Sequence, residues 1–563
     1  MASTTSNSAV ARTVLLCLVV ITMTYLWHSF EFWHYINDDA FITFRYSRFL
    51  ALGRGPYFNV GEHVEGYTNV LAMLITAGFI GTLGPELAPA ATKMIGVLSG
   101  AGCVVLAHAM TAYLLAATRC NVRRAPLWGI VAAAIVAVSP AFVVNTTSGL
   151  ETALFSALVT TGAFLGTRES VRGQWYGSGI AFGAAAWTRP EGIVLFTAFW
   201  CGQAAVRMIE HCFCAEQSDD RSVGALLRHR GTRALIANGA IVTGLFAALF
   251  GLRHLLYDGE WLPNTYYAKE RSVTFWQARK YVERGMLPAV LGIGGVLVGC
   301  AGYLSRFTRI LPWIPIAALT AMGCVMPFLS GTDWMLGARL VIPYLPVLAI
   351  CVVGGWALLS EFVLRRYARI GLLVAIGVLP VLWQRQAGER KVFHDHTTLR
   401  ARGYTTGHIA LAEWLRDEAA HEGDTIALMD IGLVGYKCFD QSILDLTGLT
   451  DRFIARSAGG FLDKQYDPEY VLDQAPRFIV LILSARGTSY SPPPAGTEFA
   501  FWTEIEKRIY DHPDFQEHYL SPQPAVESAV ASAASQFGAT RIFEHGHPGL
   551  YYLLAVFERQ DAL

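Results

Sequence analysis

The sequence predicts an α-helical polytopic membrane protein with a C-terminal α/β domain outside the bilayer, and three observations predict it. Only 16% of the 563 residues are charged while 53% are hydrophobic, where a soluble chain carries about a quarter charged residues. Long uncharged apolar runs recur through the first two thirds and stop near Trp383. Beyond that point the composition is that of an ordinary soluble domain. The 44 basic and 44 acidic side chains balance. That argues against nucleic acid as a partner, which calls for a basic excess, and the apolar runs exclude a disordered chain.

A helix needs about 20 mostly apolar residues to cross the hydrocarbon core. About eleven spans are read, near 12–30, 92–118, 126–144, 149–167, 175–188, 191–208, 233–252, 285–304, 310–329, 338–360 and 367–384. The fifth is short and rich in small residues (Gly183, Ala184, Ala185, Ala186), which suits close helix packing. The apolar stretch Val70–Leu83 is too short to cross. Counting it as a span would also put Arg119, Arg123 and Arg124 outside, against the positive-inside rule. It is read as re-entrant or interfacial. With the N-terminus cytoplasmic, the Arg-rich loops 119–124, 168–172, 221–230, 306–309 and 365–369 all lie inside. The first apolar run has no small-residue cleavage site after it, so it is read as a span and not as a cleaved signal.

The expected division is a membrane domain at 1–385, with a large first external loop at 31–91, and an external domain at 386–563. Apolar runs at Thr425–Met429, Phe478–Leu483 and Tyr551–Phe557 predict buried strands, and His408–Ala420 predicts a helix. Of ten cysteines only Cys438 falls in that domain, so it holds no disulfide of its own. Cys212 and Cys214 beside His211 lack the second pair of a metal site.

The unusual polar residues fall on the outer face. Asp38 and Asp39 stand at the mouth of a span. Adjacent carboxylates repel, and partial burial raises one of them into the range of a base working near neutral pH. The same pair also fits a helix cap; four further polar loops on that face favour catalysis. Glu65, Tyr67 and Asn69 offer groups for sugar hydroxyls, or a turn marked by Gly61 and Gly66. Glu151 enters the apolar head of a span, where a carboxylate is functional by default or meets the helix N-terminal dipole after Gly149. Arg189, before Pro190, is either a phosphate ligand or the partner of Glu191. Lys269, after Trp261, Tyr266 and Tyr267, fits a lipid phosphate or interfacial snorkelling. Asp333 either pairs with Arg339 or joins the acidic cluster.

These words resemble a family of multispanning, polyprenyl-phosphate-dependent glycosyltransferases, the GT-C class. They are closest to the terminal β(1→2) arabinofuranosyltransferases of mycobacterial and corynebacterial cell walls. The resemblance is carried by Asp38-Asp39-Ala-Phe-Ile-Thr-Phe-Arg45-Tyr46, Val64-Glu65-Gly-Tyr67-Thr-Asn69, Gly149-Leu-Glu151-Thr, Thr188-Arg189-Pro-Glu191-Gly, Leu262-Pro-Asn264-Thr-Tyr-Tyr267-Ala-Lys269 and Asp333-Trp334-Met. Asp430-Ile-Gly432-Leu-Val-Gly435-Tyr436 and Asp445-Leu-Thr-Gly448-Leu-Thr-Asp451 extend it into the outer domain. His63 stands where the family's common form has Arg.

The resemblance implies a GT-C-like membrane domain in the plasma membrane and transfer of arabinofuranose from decaprenyl-phosphoryl arabinofuranose. The acceptor is the non-reducing ends of arabinan, in arabinogalactan and lipoarabinomannan. It implies Asp38 and Asp39 as catalytic carboxylates, and Arg189, Lys269 and Arg339 on the donor phosphate. Arg45, Glu65, Tyr67, Asn69, Glu151, Asn264, Tyr267 and Asp333 would line the sugar and acceptor site. No metal ligand set is read, although a divalent cation bridging the two aspartates and the phosphate is compatible with this chemistry. Two alternatives stay open: a transferase of the same fold for mannose or aminoarabinose, and a flippase or transporter of lipid-linked sugars.

Overall fold

The computed structural model describes residues 2–118, 124–214, 222–269, 276–280, 310–331, 335–362, 368–485, 498–521, 537–547 and 550–560. The chain forms two compact units. The first joins Met1–Trp33, Lys93–Leu249 and Arg271–Phe393; the second joins His34–Thr92, Phe250–Glu270 and His394–Leu563. The second unit therefore takes in most of the first external loop and residues 250–270 as well as the C-terminal segment.

The first unit is helical, and the chain is a multi-pass membrane protein. Among the described residues, seven helices are long and apolar enough to cross a membrane, or eight if the bent pair Ala125–Val138 and Pro140–Thr147 is one span. That pair bends by 61°. Pro140 forces Ser139 out of the helical region (φ −73°, ψ 109°), and the Ser139 hydroxyl restarts the helix by accepting from Phe142 N–H. The number differs from the eleven expected, for local reasons. The helix Ser178–Thr188 has 11 residues, about 16 Å, near half the hydrocarbon core. The helix Thr152–Arg172 ends in a polar turn, and 285–304 lies outside the described residues. Glu169, buried in that turn, accepts from Tyr176 N–H (2.8 Å), Ser178 N–H (3.0 Å), Ser178 Oγ (2.6 Å) and Asn238 Nδ2 (2.6 Å). The carboxylate ties the tight connection to a neighbouring helix.

The second unit is built on a six-stranded mixed sheet. Its strands are β1 (Thr425–Leu428), β2 (Ser442–Asp445), β3 (Phe478–Ala485), β4 (Ala500–Phe501), β5 (Arg541–His547) and β6 (Leu550–Glu558). The order is β2-β1-β3-β6-β5, with β4 pairing β3. β1 is parallel to β2 and β3, while β6 is antiparallel to β3 and β5. β3 reads FIVLILSA and is buried throughout, as a central strand covered on both faces requires. The three apolar runs read as strands from the sequence are β1, β3 and β6.

The loop segments complete this unit. Arg45 is fully buried and spends its guanidinium on backbone carbonyls: Phe58 (2.7 Å), Cys438 (2.9 Å), Gln441 (2.8 Å) and Gly435. The Asn59 amide accepts from Ile443 N–H (3.0 Å) and donates to Ile443 C=O (2.8 Å). It so mimics a further strand on the open edge of β2. The helix Val70–Leu83 has 14 residues and is apolar, about 21 Å and too short to cross.

Candidate active site

Asp38 opens the helix Asp38–Ala51, whose N-cap is Asn37: the Asn37 Oδ1 accepts from Asp39 N–H at 3.0 Å. Since Asn37 does the capping, both aspartates are first-turn residues, favourable to the helix dipole but with their carboxylates available for other work. The Asp38 carboxylate turns to a second helix, Ile431–Lys437, and accepts from Gly432 N–H (3.1 Å) and Leu433 N–H (2.7 Å). It satisfies two of that helix's orphan amides, which the local residue Asp430 leaves uncapped. Gly432 is required there, because a Cβ would run into the Asp38 carbonyl and carboxylate. Among the described residues nothing bonds the Asp39 carboxylate, and it stays half-buried beside Asp38.

Asp430 instead holds a buried imidazole. His408 Nε2 lies 3.0 Å from Asp430 Oδ2, and His408 Nδ1 lies 3.1 Å from His545 Nδ1 on β5. The His545 ring stacks on Tyr552 of β6 at 4.4 Å, and the Tyr552 hydroxyl donates to Asp430 at 3.4 Å. The charges follow from this packing. Burial pushes the Asp38 carboxyl up to about 6; His408 pulls it down, Asp430 pushes it up, and the Leu433 amide and Asp39 act more weakly in opposite directions. Burial would likewise raise Asp430, but the His408 hydrogen bond and charge hold it below the usual carboxylate range. Burial draws His408 down, yet the bond to Asp430 and the two carboxylates outweigh it and hold it above the ordinary histidine value. The sequence pattern gives Asp430 no role and places His408 only at the start of a helix.

Most of the proposed sugar-binding residues in this unit carry internal bonds. Glu65 and Arg253 form an ion pair with both side chains 3% exposed, and Arg253 Nη2 donates to Glu65 Oε1 at 3.2 Å. The hydroxyls of Tyr67 and Tyr257 meet at 3.0 Å. Asn69 Oδ1 accepts from Thr43 at 3.1 Å. The Asn264 amide donates to the carbonyls of Gly448, Leu449 and Asp451 at 2.8–3.1 Å. Arg45 is spent as described. Tyr267 lies under the Arg456 guanidinium at 4.2 Å, and exposed Lys269 sits 5.9 Å from the Phe461 ring. His63 stacks on Tyr57 and contacts Asp258 Oδ1 at 2.9 Å.

In the first unit, Pro190 keeps Arg189 extended (φ −152°, ψ 132°) between two helices. Its guanidinium meets Glu191 at 3.1 Å and Glu151 at 3.9 Å and donates to the Arg339 carbonyl at 3.5 Å. The structure thus gives Arg189 the Glu191 partner and adds Glu151, in a nearly buried cluster. Asp333 lies outside the described residues. Among the described residues no group of three or more His, Cys, Asp or Glu side chains is placed to hold a metal ion.

The fold is GT-C-like, a helical membrane part with a small C-terminal sheet region, and it resembles that of ArnT. A crystal structure of ArnT from Cupriavidus metallidurans in the apo state aligns with a TM-score of 0.51 at 15% identity, covering 78% of this chain and 87% of that one. ArnT from the same organism bound to undecaprenyl phosphate aligns with a TM-score of 0.49 at 13% identity, covering 76% and 85%. Residues 396–525 match a family described as a domain of unknown function, DUF8728. No curated protein matches the chain.

Proposed function

We propose that this protein transfers a sugar from a polyprenyl-phosphate donor to a glycan acceptor on the extracytoplasmic side of the plasma membrane. The sugar is arabinofuranose from decaprenyl-phosphoryl arabinofuranose, and the acceptor is the non-reducing ends of cell-wall arabinan, as the sequence resemblance implies. One observation carries the transferase reading: Asp38 is seated on two backbone amides with burial raising its carboxyl toward neutrality. A fixed carboxylate near the working pH is what a general base requires. The GT-C fold supports the reading. The orientation is supported by loop charge, because residues 34–92, 250–270 and 394–563, which unite in one compact unit, fall almost wholly in stretches that the positive-inside rule puts outside.

In the reaction, the acceptor hydroxyl oxygen bonds to the anomeric carbon and its proton passes to Asp38. The sugar–phosphate bond breaks, and polyprenyl phosphate leaves with the electron pair. Asp39 stands beside the positive charge that develops on the sugar ring. Arg189, Lys269 and Arg339 are assigned to the departing phosphate by residue type; Arg189 shares its charge with Glu151 and Glu191.

The test uses membranes containing the protein, radiolabelled decaprenyl-phosphoryl arabinofuranose and an arabinan oligomer, with polyprenyl-phosphate mannose and aminoarabinose as parallel donors. Label should reach the oligomer from the arabinose donor, and Asp38→Ala should abolish it. Transfer from another donor alone overturns the sugar assignment. Transfer that survives both Asp38→Ala and Asp39→Ala overturns the catalytic one. Donor movement across the bilayer without transfer favours the transporter.

A further inference from the structure

His408 sits on the apolar face of its helix, where a histidine is ordinarily a packed core residue. Its surroundings are different. The ring is 1% exposed, and each nitrogen meets a group able to accept: Asp430 Oδ2 at Nε2 (3.0 Å) and His545 Nδ1 at Nδ1 (3.1 Å). With the carboxylate on one side, a proton between the two Nδ1 atoms can rest on either ring, and it makes the pair cationic beside an anionic Asp430. Two residues further along the chain, the amides of Gly432 and Leu433 hold Asp38.

We propose that His408, sharing one proton with His545, is the positioning residue that keeps Asp38 ionised, because it neutralises the Asp430 carboxylate built next to Asp38's seat. The proposal deepens the reading of Asp38 as the base. Two half-buried carboxylates that both act on one imidazole cannot both ionise cheaply, so an uncompensated Asp430 would drive a proton onto Asp38. The groups facing His408 are Asp430, Asp38, His545 from β5, Tyr552 from β6, and Tyr404 and Arg400 from its own helical stretch. Arg400 adds positive charge toward Asp430, while the tyrosines supply hydroxyls and ring faces. Only the imidazole pair can lose its cationic charge near neutral pH.

The test uses the purified full-length protein with His408→Gln, Asp430→Asn and the double variant. Glutamine keeps an N–H for Asp430 but carries no charge. The titration of the Asp38 carboxyl is read by infrared difference spectroscopy as the acid C=O band that Asp38→Asn removes. The same variants are compared in the acid limb of the transfer rate. His408→Gln should raise the midpoint by about one pH unit, Asp430→Asn should lower it, and the double variant should return it toward wild type. A merely structural role gives no such reversal. An unmoved midpoint in His408→Gln, or a double variant no closer to wild type, overturns the proposal. Should His408→Gln fail to fold, the nearly isosteric Asp430→Asn decides alone: a downward shift supports the proposal, and none defeats it. If wild type transfers no sugar at all, the transferase reading falls, and the infrared titration still decides the proton coupling.

Discussion

Gly432 shows how one missing side chain determines whether Asp38 has a place to sit. Its amide donates to Asp38, and a methyl group at its Cα would occupy the space of the Asp38 carbonyl and carboxylate. Gly432→Ala is therefore expected to cost transfer at least ~10²-fold, the scale of a lost general base, while a thermal melt shows the sheet intact; a fully active variant would show that the seat is dispensable. The pH response has a definite sign. A carboxyl raised from 3.8 to about 6 binds its proton more tightly folded than unfolded. Its stabilising contribution is thus complete below about pH 4 and is lost as pH rises through about 6. Activity runs the other way, because the base works only when ionised. kcat/KM should climb through about pH 6, and a rate already flat at about pH 5 would place the base elsewhere. The aspartate pair was legible in the sequence as two adjacent charges at the edge of an apolar run. His408 was not, because one polar residue on an apolar face has the same periodicity as a core position, and its partners lie 22 and 137 residues away.

Among the elements, the turn after β2 is organised by one buried carboxylate. Asp445 accepts from Thr447 N–H (2.8 Å) and Oγ1 (2.6 Å), and from Thr450 N–H (2.8 Å) and Oγ1 (3.3 Å). The Asn264 amide fixes the far side of the same turn through three carbonyls. Asp445→Ala orphans two buried amides and should destabilise the second unit by about 3 kcal/mol, at about 1–3 kcal/mol for each unsatisfied group; chemical denaturation measures it, and a loss under about 1 kcal/mol would show that water replaces the carboxylate. The sequence marks this stretch only through the Asp445–Asp451 word that carries the resemblance into the outer domain. It did not show Asn264, whose role depends on chain about 180 residues away. Apolar composition likewise revealed β1, β3 and β6, and it placed the short helix within 175–188 without fixing its length. Hydrophobicity does not report where a helix begins or stops, and here Gly177 precedes its first residue and the extended Arg189 before Pro190 ends it after 11 residues.

At the scale of the whole molecule, the C-terminal segment shares one compact unit with two segments far away in the sequence. Compositional change near Trp383 pointed to a separate domain from 386, because hydropathy detects where apolar spans end. It is blind to which distant loops finish a core. The described sheet has its β2 edge paired by Asn59 and the carbonyls around Cys438 and Gln441 taken up by Arg45. The turn after β2 is held by Asn264. All three side chains come from segments that precede residue 394. Cutting the chain there exposes a strand edge, which templates aggregation, and leaves several buried carbonyls without donors, at about 1–3 kcal/mol each. A domain is stable by only about 5–15 kcal/mol, so the losses together approach the whole. Residues 394–563 expressed alone should therefore aggregate or melt without a cooperative transition. Adding 34–92 and 250–270 through flexible linkers should restore one sharp transition, read by calorimetry or circular dichroism. Cooperative unfolding of the bare segment at the same temperature would show that these loops only decorate a finished domain. The expected dependence would mean instead that the loop bearing Asp38 and the segment bearing Asp430 fold together, so that neither carboxylate acquires its environment without the other.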